Sequence, residues 1–195
     1  MAETDLIIDE IDFEVKGKAK TLPFHFFDEI DSTNNYLKRI AAEHPSETIV
    51  ACANFQTGGR GQFERTWESA ADKNLLFSLL LHPKMKVNEA PLLTQVTAEV
   101  ARDILKGLTG EDDFSIKKPN DVLFAGKKIC GILTEQESQG SEIKFVIIGV
   151  GININSLQDE LPDGAISLMD ILGKEHDPQE VLGLFLSHFF ERVSV

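Results

Sequence analysis

Two long apolar runs constrain the fold of this chain more than any other feature of its sequence. Residues 48–55 read TIVACANF, and residues 74–82 read NLLFSLLLH. Both runs are too continuous for a strand with one exposed face, because such a strand alternates apolar and polar residues. They therefore predict two buried strands.

Three other segments carry the signals of helices. Either Ser32 or Thr33 can cap a first helix, which we expect to run to about Glu43. Pro91 opens a second helix, in which apolar residues recur every four positions. Residues 177–180 (DPQE) combine a cap, a first-turn proline and a glutamate at the third position, so they predict the start of a final helix.

The region between the second and third helices has the pattern of a meander. Short strands are expected near residues 114–117 and 122–124, followed by a turn at residues 125–126. Longer strands are expected at residues 129–137 and 143–153. Strand pairs interrupted by single amphipathic helices predict an α+β fold, a mostly antiparallel sheet with helices packed on one face.

The composition of the chain argues against several classes of partner and location. Thirty-two acids against nineteen bases give a net charge of −13, which repels polyanions and argues against nucleic acid such as DNA as a main partner. The sequence has no apolar run of the length that spans a membrane. Its first fifteen residues carry six acids and no base, unlike a secretory signal.

The two cysteines also favour a cytoplasmic protein. Cys52 and Cys130 lie inside apolar, strand-like runs rather than in a paired or metal-binding pattern. We therefore expect buried, reduced thiols that take no part in nucleophilic chemistry.

One segment between the two apolar runs carries unusual chemistry. Residues 58–67 read GGRGQFERTW and hold a glycine run, two arginines and the only tryptophan of the chain. Glycine lets the backbone approach a ligand closely, and arginine is a fixed-charge fork for carboxylate or phosphate. The segment fits either a loop around an anionic small molecule or a hairpin connection whose tryptophan caps the core.

A basic island lies further along this acidic chain. Between residues 114 and 132 there are four lysines against one acid, Asp121. The island suits a small polyanion such as a nucleotide, although a solvated hairpin with lysines on its edge has the same composition. The four lysines are Lys117, Lys118, Lys127 and Lys128.

Five separated segments together resemble the catalytic domain of biotin protein ligases. In chain order they are STNN at 32–35, the loop at 58–67, KKPND at 117–121, KKICGIL at 127–133 and GVGIN at 149–153. The resemblance runs from about Phe27 to Asn155 and implies the biotin/lipoate ligase fold, which is like that of class II synthetases. It also implies an enzyme, a biotin–[biotin carboxyl carrier protein] ligase with biotin and ATP as substrates and Mg²⁺ as the metal.

The reaction implied by the resemblance has two steps. The carboxylate of biotin attacks the α-phosphate of ATP and gives biotinyl-5′-AMP and pyrophosphate. A lysine of a carrier protein, such as an acetyl-CoA carboxylase subunit, then attacks the acyl carbon and expels AMP. The first step brings two anions together and so needs fixed positive charge.

The resemblance also assigns roles to residues. Lys128 and Arg60 would be catalytic, with Lys128 contacting both reacting partners. Ser32, Thr33, Asn34 and Gln56 would bind the ureido ring of biotin, although the first two fit simple helix caps equally well. Trp67 would cover the adenine, and Asp121 would be an outer partner of Mg²⁺, whose direct protein ligands stay unassigned. The other residues expected around the ligands are Gly59, Gly61, Gln62, Arg65, Lys117, Asn120, Gly131 and Asn153.

The sequence departs from the family pattern in three places. Gln62 stands where the family often has a second arginine, so weaker retention of the adenylate is expected. Lys118 stands where a tryptophan is usual, which removes an aromatic wall. Only forty residues follow Asn155, so we expect residues 1–195 to form a single catalytic domain without the small C-terminal β-barrel or an N-terminal helix-turn-helix.

Two other functions stay open at this point. A lipoate or octanoate ligase shares the fold and the catalytic lysine, although the loop and the PND segment fit biotin better. A catalytically inactive biotin-binding protein is consistent with the three departures, while Arg60 and Lys128 argue against it. A homodimer through an exposed sheet edge is a further expectation.

Overall fold

The computed structural model describes residues 6–63 and 65–193. The described residues form one mixed eight-stranded sheet with the order β1-β2-β3-β4-β8-β7-β6-β5. All neighbouring strands are antiparallel except β2 and β3. The predicted α+β class and mostly antiparallel sheet are therefore confirmed. The strands are β1 (Ile7–Val15), β2 (Lys18–Ile30), β3 (Ile49–Gln56), β4 (Leu75–Leu81), β5 (Phe114–Lys117), β6 (Asp121–Phe124), β7 (Lys127–Gln139) and β8 (Glu142–Ile152).

Four α-helices accompany the sheet in the described part of the chain: α1 (Thr33–Ile40), α2 (Ala90–Thr109), α3 (Leu168–Leu172) and α4 (Pro178–Arg192). Short 3₁₀ helices precede α2 and α3, at Val87–Glu89 and Gln158–Glu160. The predicted cap of α4 is present, since Asp177 accepts a hydrogen bond from the backbone N–H of Gln179 at 2.8 Å. None of the described helices has the length and apolar character needed to cross a membrane.

The sheet is covered on both faces, and β3 shows why. Successive residues of a strand point to opposite faces. Ile49 and Ala51 join the apolar cluster that contains α1, whereas Val50 and Cys52 join the larger cluster that contains α2, α3 and α4. The expectation of helices on one face holds for those three, but α1 packs on the opposite face, because a strand that is apolar on both sides needs cover on both sides.

The parallel pair β2–β3 positions the start of α1. Carboxyl ends of parallel strands meet at the same edge of a sheet, and here Ile30 at the end of β2 pairs with Gln56 at the end of β3. Helix α1 begins three residues after Ile30, so its first turn lies beside Gln56. The STNN segment, the end of β3 and the loop that follows β3 are thereby brought together.

Candidate active site

Three glycines on neighbouring strands form a surface without side chains on the α1 side of the sheet. Gly131 on β7 lies directly opposite Gly151 on β8, and Gly149 lies two residues before Gly151 on the same strand. A Cβ built on Gly149 would collide with the side-chain oxygen of Asn34. We call Gly131, Gly149 and Gly151 the glycine floor; side chains from α1 and from the loop after β3 rest on it.

The indole of Trp67 lies on the other half of this floor. A Cβ on Gly131 would be 2.6 Å from Trp67 Cζ3, and a Cβ on Gly151 would be 2.5 Å from Trp67 Cε2. Lys128 Nζ lies 5.2 Å from the centroid of the ring, within the range of a cation–π contact. The indole Nε1 is buried and has no hydrogen-bond partner among the described residues. The indole therefore covers the end of the floor that lies nearest Lys128.

The loop that carries Trp67 is folded back on itself. The N–H of Trp67 donates to the carbonyl of Gly59 at 3.0 Å, and the N–H of Gly61 donates to the carbonyl of Arg65 at 2.7 Å. A Cβ on Gly59 would be 2.5 Å from the carbonyl oxygen of Trp67, so only glycine allows this approach. The loop thus has the backbone pairing of a hairpin connection and also lines a cavity.

One end of the floor is lined by neutral hydrogen-bonding side chains. Thr33 donates its backbone N–H to Gln56 Oε1 at 2.8 Å, and its hydroxyl lies 2.7 Å from that of Ser78. Ser32 occupies the N-cap position of α1, yet its side chain makes no cap hydrogen bond, and the residue lines the cavity over the floor. We call this group the polar end; it comprises Ser32, Thr33, Asn34, Gln56 and Ser78.

The other end of the floor carries the charge of Lys128. Its ammonium lies 3.0 Å from the position of a Cβ on Gly131 and 2.7 Å from Asp121 Oδ1. The backbone of Lys128 is fixed from a second side, because its N–H donates to the carbonyl of Gly164 and its carbonyl accepts from the N–H of Ile166. The backbone of Lys128 is therefore held by two hydrogen bonds and its ammonium by the ion pair with Asp121, at the edge of the floor.

Arg60 does not share this end with Lys128. Its Nη1 donates to Glu135 Oε2 at 3.0 Å and to Asn35 Oδ1 at 2.9 Å. Glu135 lies four residues beyond Gly131 on β7, which is about 13 Å along a strand. The carboxylate of Glu135 therefore holds the guanidinium beside the polar end, away from the position expected for a second catalytic cation.

A cavity of about 440 Å³ lies over the floor. The sequence-predicted residues that line it are Ser32, Thr33, Asn34, Gln56, Arg60, Gly61, Gln62, Arg65, Trp67, Asn120, Lys128 and Gly131. A second cavity, of about 470 Å³, lies beside Trp67 and is lined by Lys128 and Asn153. Gly59 lines a third, between the loop and Pro119. Lys117 lines none of the three and is exposed, as is Lys118, so the structure does not bring either to the site.

Two residues of the site were missed by the sequence analysis. Ser78 is the only hydroxyl in the apolar run of β4, and that isolation is a usable signal. Glu135 follows Gly131 and Leu133 at alternate positions of β7, so it shares their face of the sheet. Its partners come from α1 and the loop, and no local pattern in β7 reveals them.

The environment of the two cysteines makes their thiols unreactive. Burial raises the pKa of the Cys52 and Cys130 thiols to about 12, and for Cys130 this outweighs the nearby charge of Lys128. Both are free and buried, as predicted. The described residues also contain no group of three or more histidine, cysteine, aspartate or glutamate side chains that could hold a metal ion.

Residues 26–153 match the sequence model of the Biotin/lipoate A/B protein ligase family. The chain belongs to this family. Among curated relatives in the family, the bifunctional ligase/repressor BirA of Bacillus spizizenii is 33% identical over 187 residues, covering 94% of this chain. The biotin–[acetyl-CoA-carboxylase] ligase of Paracoccus denitrificans is 33% identical over 165 residues, covering 82% of this chain and 68% of the relative.

A solved structure of the same family supports the fold. The biotin protein ligase from Aquifex aeolicus in complex with biotin and ATP superposes with a TM-score of 0.73 and 35% identity, covering 86% of this chain and 68% of that one. The chain spans 57% of the length of the B. spizizenii protein and 51% of the BirA of Salmonella typhimurium. It therefore corresponds to about half the length of these curated relatives of the biotin/lipoate ligase family.

Proposed function

We propose that this chain is the ligase domain of a biotin protein ligase, which activates biotin with ATP to biotinyl-5′-AMP and transfers it to a lysine of a biotin carboxyl carrier protein. The observation that carries the proposal is the arrangement of the cavity. Neutral hydrogen-bonding groups stand at one end and the ammonium of Lys128 at the other, and the glycine floor lies between them under the side chains of Asn34 and Trp67. Family membership and the names of the relatives support it.

The dimensions and chemistry of the cavity match biotin. A volume of about 440 Å³ lies in the range of small-molecule sites. A urea presents one acceptor and two donors, which the hydroxyls and amides of the polar end can match. Gly149, which lies under Asn34, and Gly151, which lies under Trp67, are two residues apart, about 7 Å along β8, a separation that the apolar chain between a urea and a carboxylate would span.

In this proposal Lys128 stabilises the charge that develops when the biotin carboxylate meets the α-phosphate. A fixed cation in a partly enclosed site stabilises such a transition state without reorganising at the moment of reaction. Asp121 holds the ammonium through the 2.7 Å ion pair. Trp67 would cover the intermediate and limit the access of water.

Mg²⁺ would reach this site with the nucleotide. Magnesium in ATP-dependent enzymes is commonly held by one or two carboxylates together with the substrate phosphates, a mode that needs no cluster of acidic side chains. Asp121 is the carboxylate that we expect near the Mg²⁺ ion, as an outer partner rather than a direct ligand. The ion would neutralise phosphate charge.

The same proposal implies an acceptor protein and a cellular compartment. The acceptor would be a biotin carboxyl carrier protein, and the net charge of −13 argues against DNA as a partner of this domain. A cytoplasmic setting is supported by the two free cysteines. A homodimer stays a prediction that sedimentation of the purified protein would test.

Pyrophosphate exchange tests the proposed activation step. With biotin, ATP and Mg²⁺, the purified protein is expected to exchange labelled pyrophosphate into ATP. Replacing Lys128 by alanine should lower the rate by about 10²- to 10³-fold, the usual cost of losing one group that stabilises transition-state charge. Lys127 is the matched control, because it is adjacent and exposed, and Lys127→Ala should retain the wild-type rate.

Parallel reactions separate the other functions. Lipoate and octanoate lack a urea, so neither should replace biotin in the exchange reaction. Exchange with lipoate but not with biotin would identify the other activity of the family. Biotin binding without any exchange in the wild type would identify a binding protein and overturn the proposed ligase.

A further inference from the structure

A continuous relay of hydrogen bonds runs through the polar end of the cavity. Gln56 Oε1 accepts from Thr33, and the hydroxyl of Thr33 lies 2.7 Å from that of Ser78. Ser78 donates to Asn34 Oδ1 at 2.6 Å, and Asn34 Nδ2 donates to Glu135 Oε2 at 3.0 Å. The relay therefore joins the end of β3, the first turn of α1, β4 and β7.

Glu135 helps to set the direction of the donors between Asn34 and Thr33 in this relay. An ionised carboxylate can only accept hydrogen bonds, whereas the hydroxyls can donate or accept and the amide of Asn34 could be turned either way. Glu135 faces Asn34 Nδ2 at 3.0 Å, and the carbonyl oxygen of Leu133 faces it at 3.4 Å, so the NH₂ group must point to these acceptors and Oδ1 to Ser78. The hydroxyl of Ser78 is then used as a donor, so the hydroxyl of Thr33 donates to Ser78 at 2.7 Å rather than to Gln56 Oε1 at 3.2 Å, and Gln56 Oε1 keeps the backbone N–H of Thr33 as its donor.

The same carboxylate ties the loop to this relay. Arg60 Nη1 lies 3.1 Å and 3.0 Å from the two oxygens of Glu135 and also donates to Asn35 on α1. The side chain of Glu135 is 19% exposed and that of Arg60 is 41% exposed, so the carboxylate is the more enclosed partner. Lys38 is the other nearby cation, with Nζ 3.9 Å from Glu135 Oε1. The guanidinium of Arg60, on the loop, thus neutralises the negative charge of the Glu135 carboxylate at the end of the relay.

We propose that Glu135 is a positioning residue for recognition of the ligand's uncharged hydrogen-bonding end, and that Arg60 acts through Glu135 rather than as a catalytic cation. The inference rests on the proposed function, since the ligand is taken to be biotin. Glu135 fixes the donor and acceptor pattern that Asn34 and its neighbours offer to the urea. It also couples that pattern to the loop, since Arg60, which lies on the loop, forms an ion pair with the same carboxylate.

The test uses the isosteric substitution Glu135→Gln, which keeps the shape and removes the charged acceptor at the end of the relay. Glu137→Gln is the matched control, because Glu137 lies two residues further along β7, is exposed, and forms an ion pair with Lys144. Affinity for biotin is measured by calorimetry without ATP, and kcat and KM for biotin are measured by pyrophosphate exchange. Thermal unfolding of each variant verifies that it is folded.

Glu135→Gln is expected to weaken biotin binding by about 10- to 100-fold, the usual effect of losing hydrogen bonds to a charged group. The KM for biotin should rise in parallel, while kcat at saturating biotin changes by less than about threefold, the pattern of lost ground-state binding. Glu137→Gln should match the wild type in both measurements. A general structural defect would not separate KM from kcat in this way.

Arg60→Gln gives a second, independent test that does not depend on the folding of the first variant. If Arg60 acts through Glu135, its loss should raise the KM for biotin and leave kcat nearly unchanged, unlike the loss of Lys128. A wild-type KM in Glu135→Gln, or a fall in kcat alone in Arg60→Gln, would overturn the inference while the ligase function stands. Absence of biotin binding by the wild-type protein would instead overturn the proposed function.

Discussion

Replacing Gly151 by alanine tests whether the indole of Trp67 rests on the glycine floor. The added Cβ would lie 2.5 Å from Trp67 Cε2, about 0.9 Å closer than the 3.4 Å at which contacts become ordinary. Strand β8 is paired with β4 on one side and β7 on the other, so the floor cannot recede. The loop must move instead, and the indole will lift from the floor and lose its contact with Lys128, worth about 0.5–1 kcal/mol.

The magnitude follows from the same geometry. Overpacking costs about 1–3 kcal/mol where neighbours cannot move, which corresponds to about a 5- to 150-fold loss of affinity for a ligand whose binding keeps Trp67 on the floor. The free energy of unfolding should fall by less than this, because the loop can yield before a ligand is bound. Affinity and stability are therefore expected to change by different amounts.

Fluorescence measures the displacement directly, since Trp67 is the only tryptophan of the chain. Emission of Gly151→Ala should shift to longer wavelength as the indole becomes hydrated, and biotin titrations should show the weaker binding. Gly183→Ala on α4 is the control, because its Cβ would meet no other atom and alanine favours a helix by up to about 1 kcal/mol. Unchanged emission and unchanged affinity in Gly151→Ala would refute the proposed packing of Trp67 on the floor.

Three further predictions concern the loop, the acid stability and the thiols. Gln62→Arg should slow the release of biotinyl-5′-AMP by about tenfold or more, because a charge-assisted hydrogen bond to phosphate is gained; equal release rates in a chase experiment would contradict this role. The pKa of Asp103 is lowered although its partial burial opposes this, because Arg192 and a neighbouring arginine donate to it. That contribution to stability is present above the ordinary value of 3.8 and is lost as the pH falls through the folded value, so Asp103→Asn should lose less stability than the wild type in acid unfolding. Cys52 and Cys130 should not react with a thiol reagent until the protein is unfolded, because burial raises their pKa to about 12; labelling under native conditions would disagree with this.

Patterns within single segments predicted much of the fold. The continuous run around β4 was correctly assigned to a buried strand, and β5 has the predicted bounds, because burial and turn chemistry are both local signals. The hairpin of β1 and β2 was not predicted, although apolar and acidic residues alternate near the end of β1 and Lys16-Gly17 is a two-residue turn with positive φ at both residues. The density of acids in this segment obscured that alternation.

The residues that line the site were easier to predict from the sequence than the contacts between them. Lys128 and the first turn of α1 were identified through the resemblance, and they do line one cavity. The pairing of Arg60 with Glu135 depends on where the loop after β3 meets β7, residues that are 75 positions apart. The position of α1 on the face opposite the other helices likewise depends on which side of β3 each helix reaches, and the amphipathic pattern of a helix does not encode that choice.

One face of the sheet is covered by three helices and the other by α1 alone, and this difference affects where the protein opens locally. The polar end of the cavity is built on α1, which rests on the smaller of the two apolar clusters, whereas α2 and α4 stabilise the larger one. Local opening requires less free energy where fewer apolar contacts must break. Amide hydrogens of α1 should therefore exchange with solvent before those of α2. A ligand that bridges α1 and the sheet would slow this exchange most, so the segment that recognises the ligand is also the one that the ligand would stabilise most.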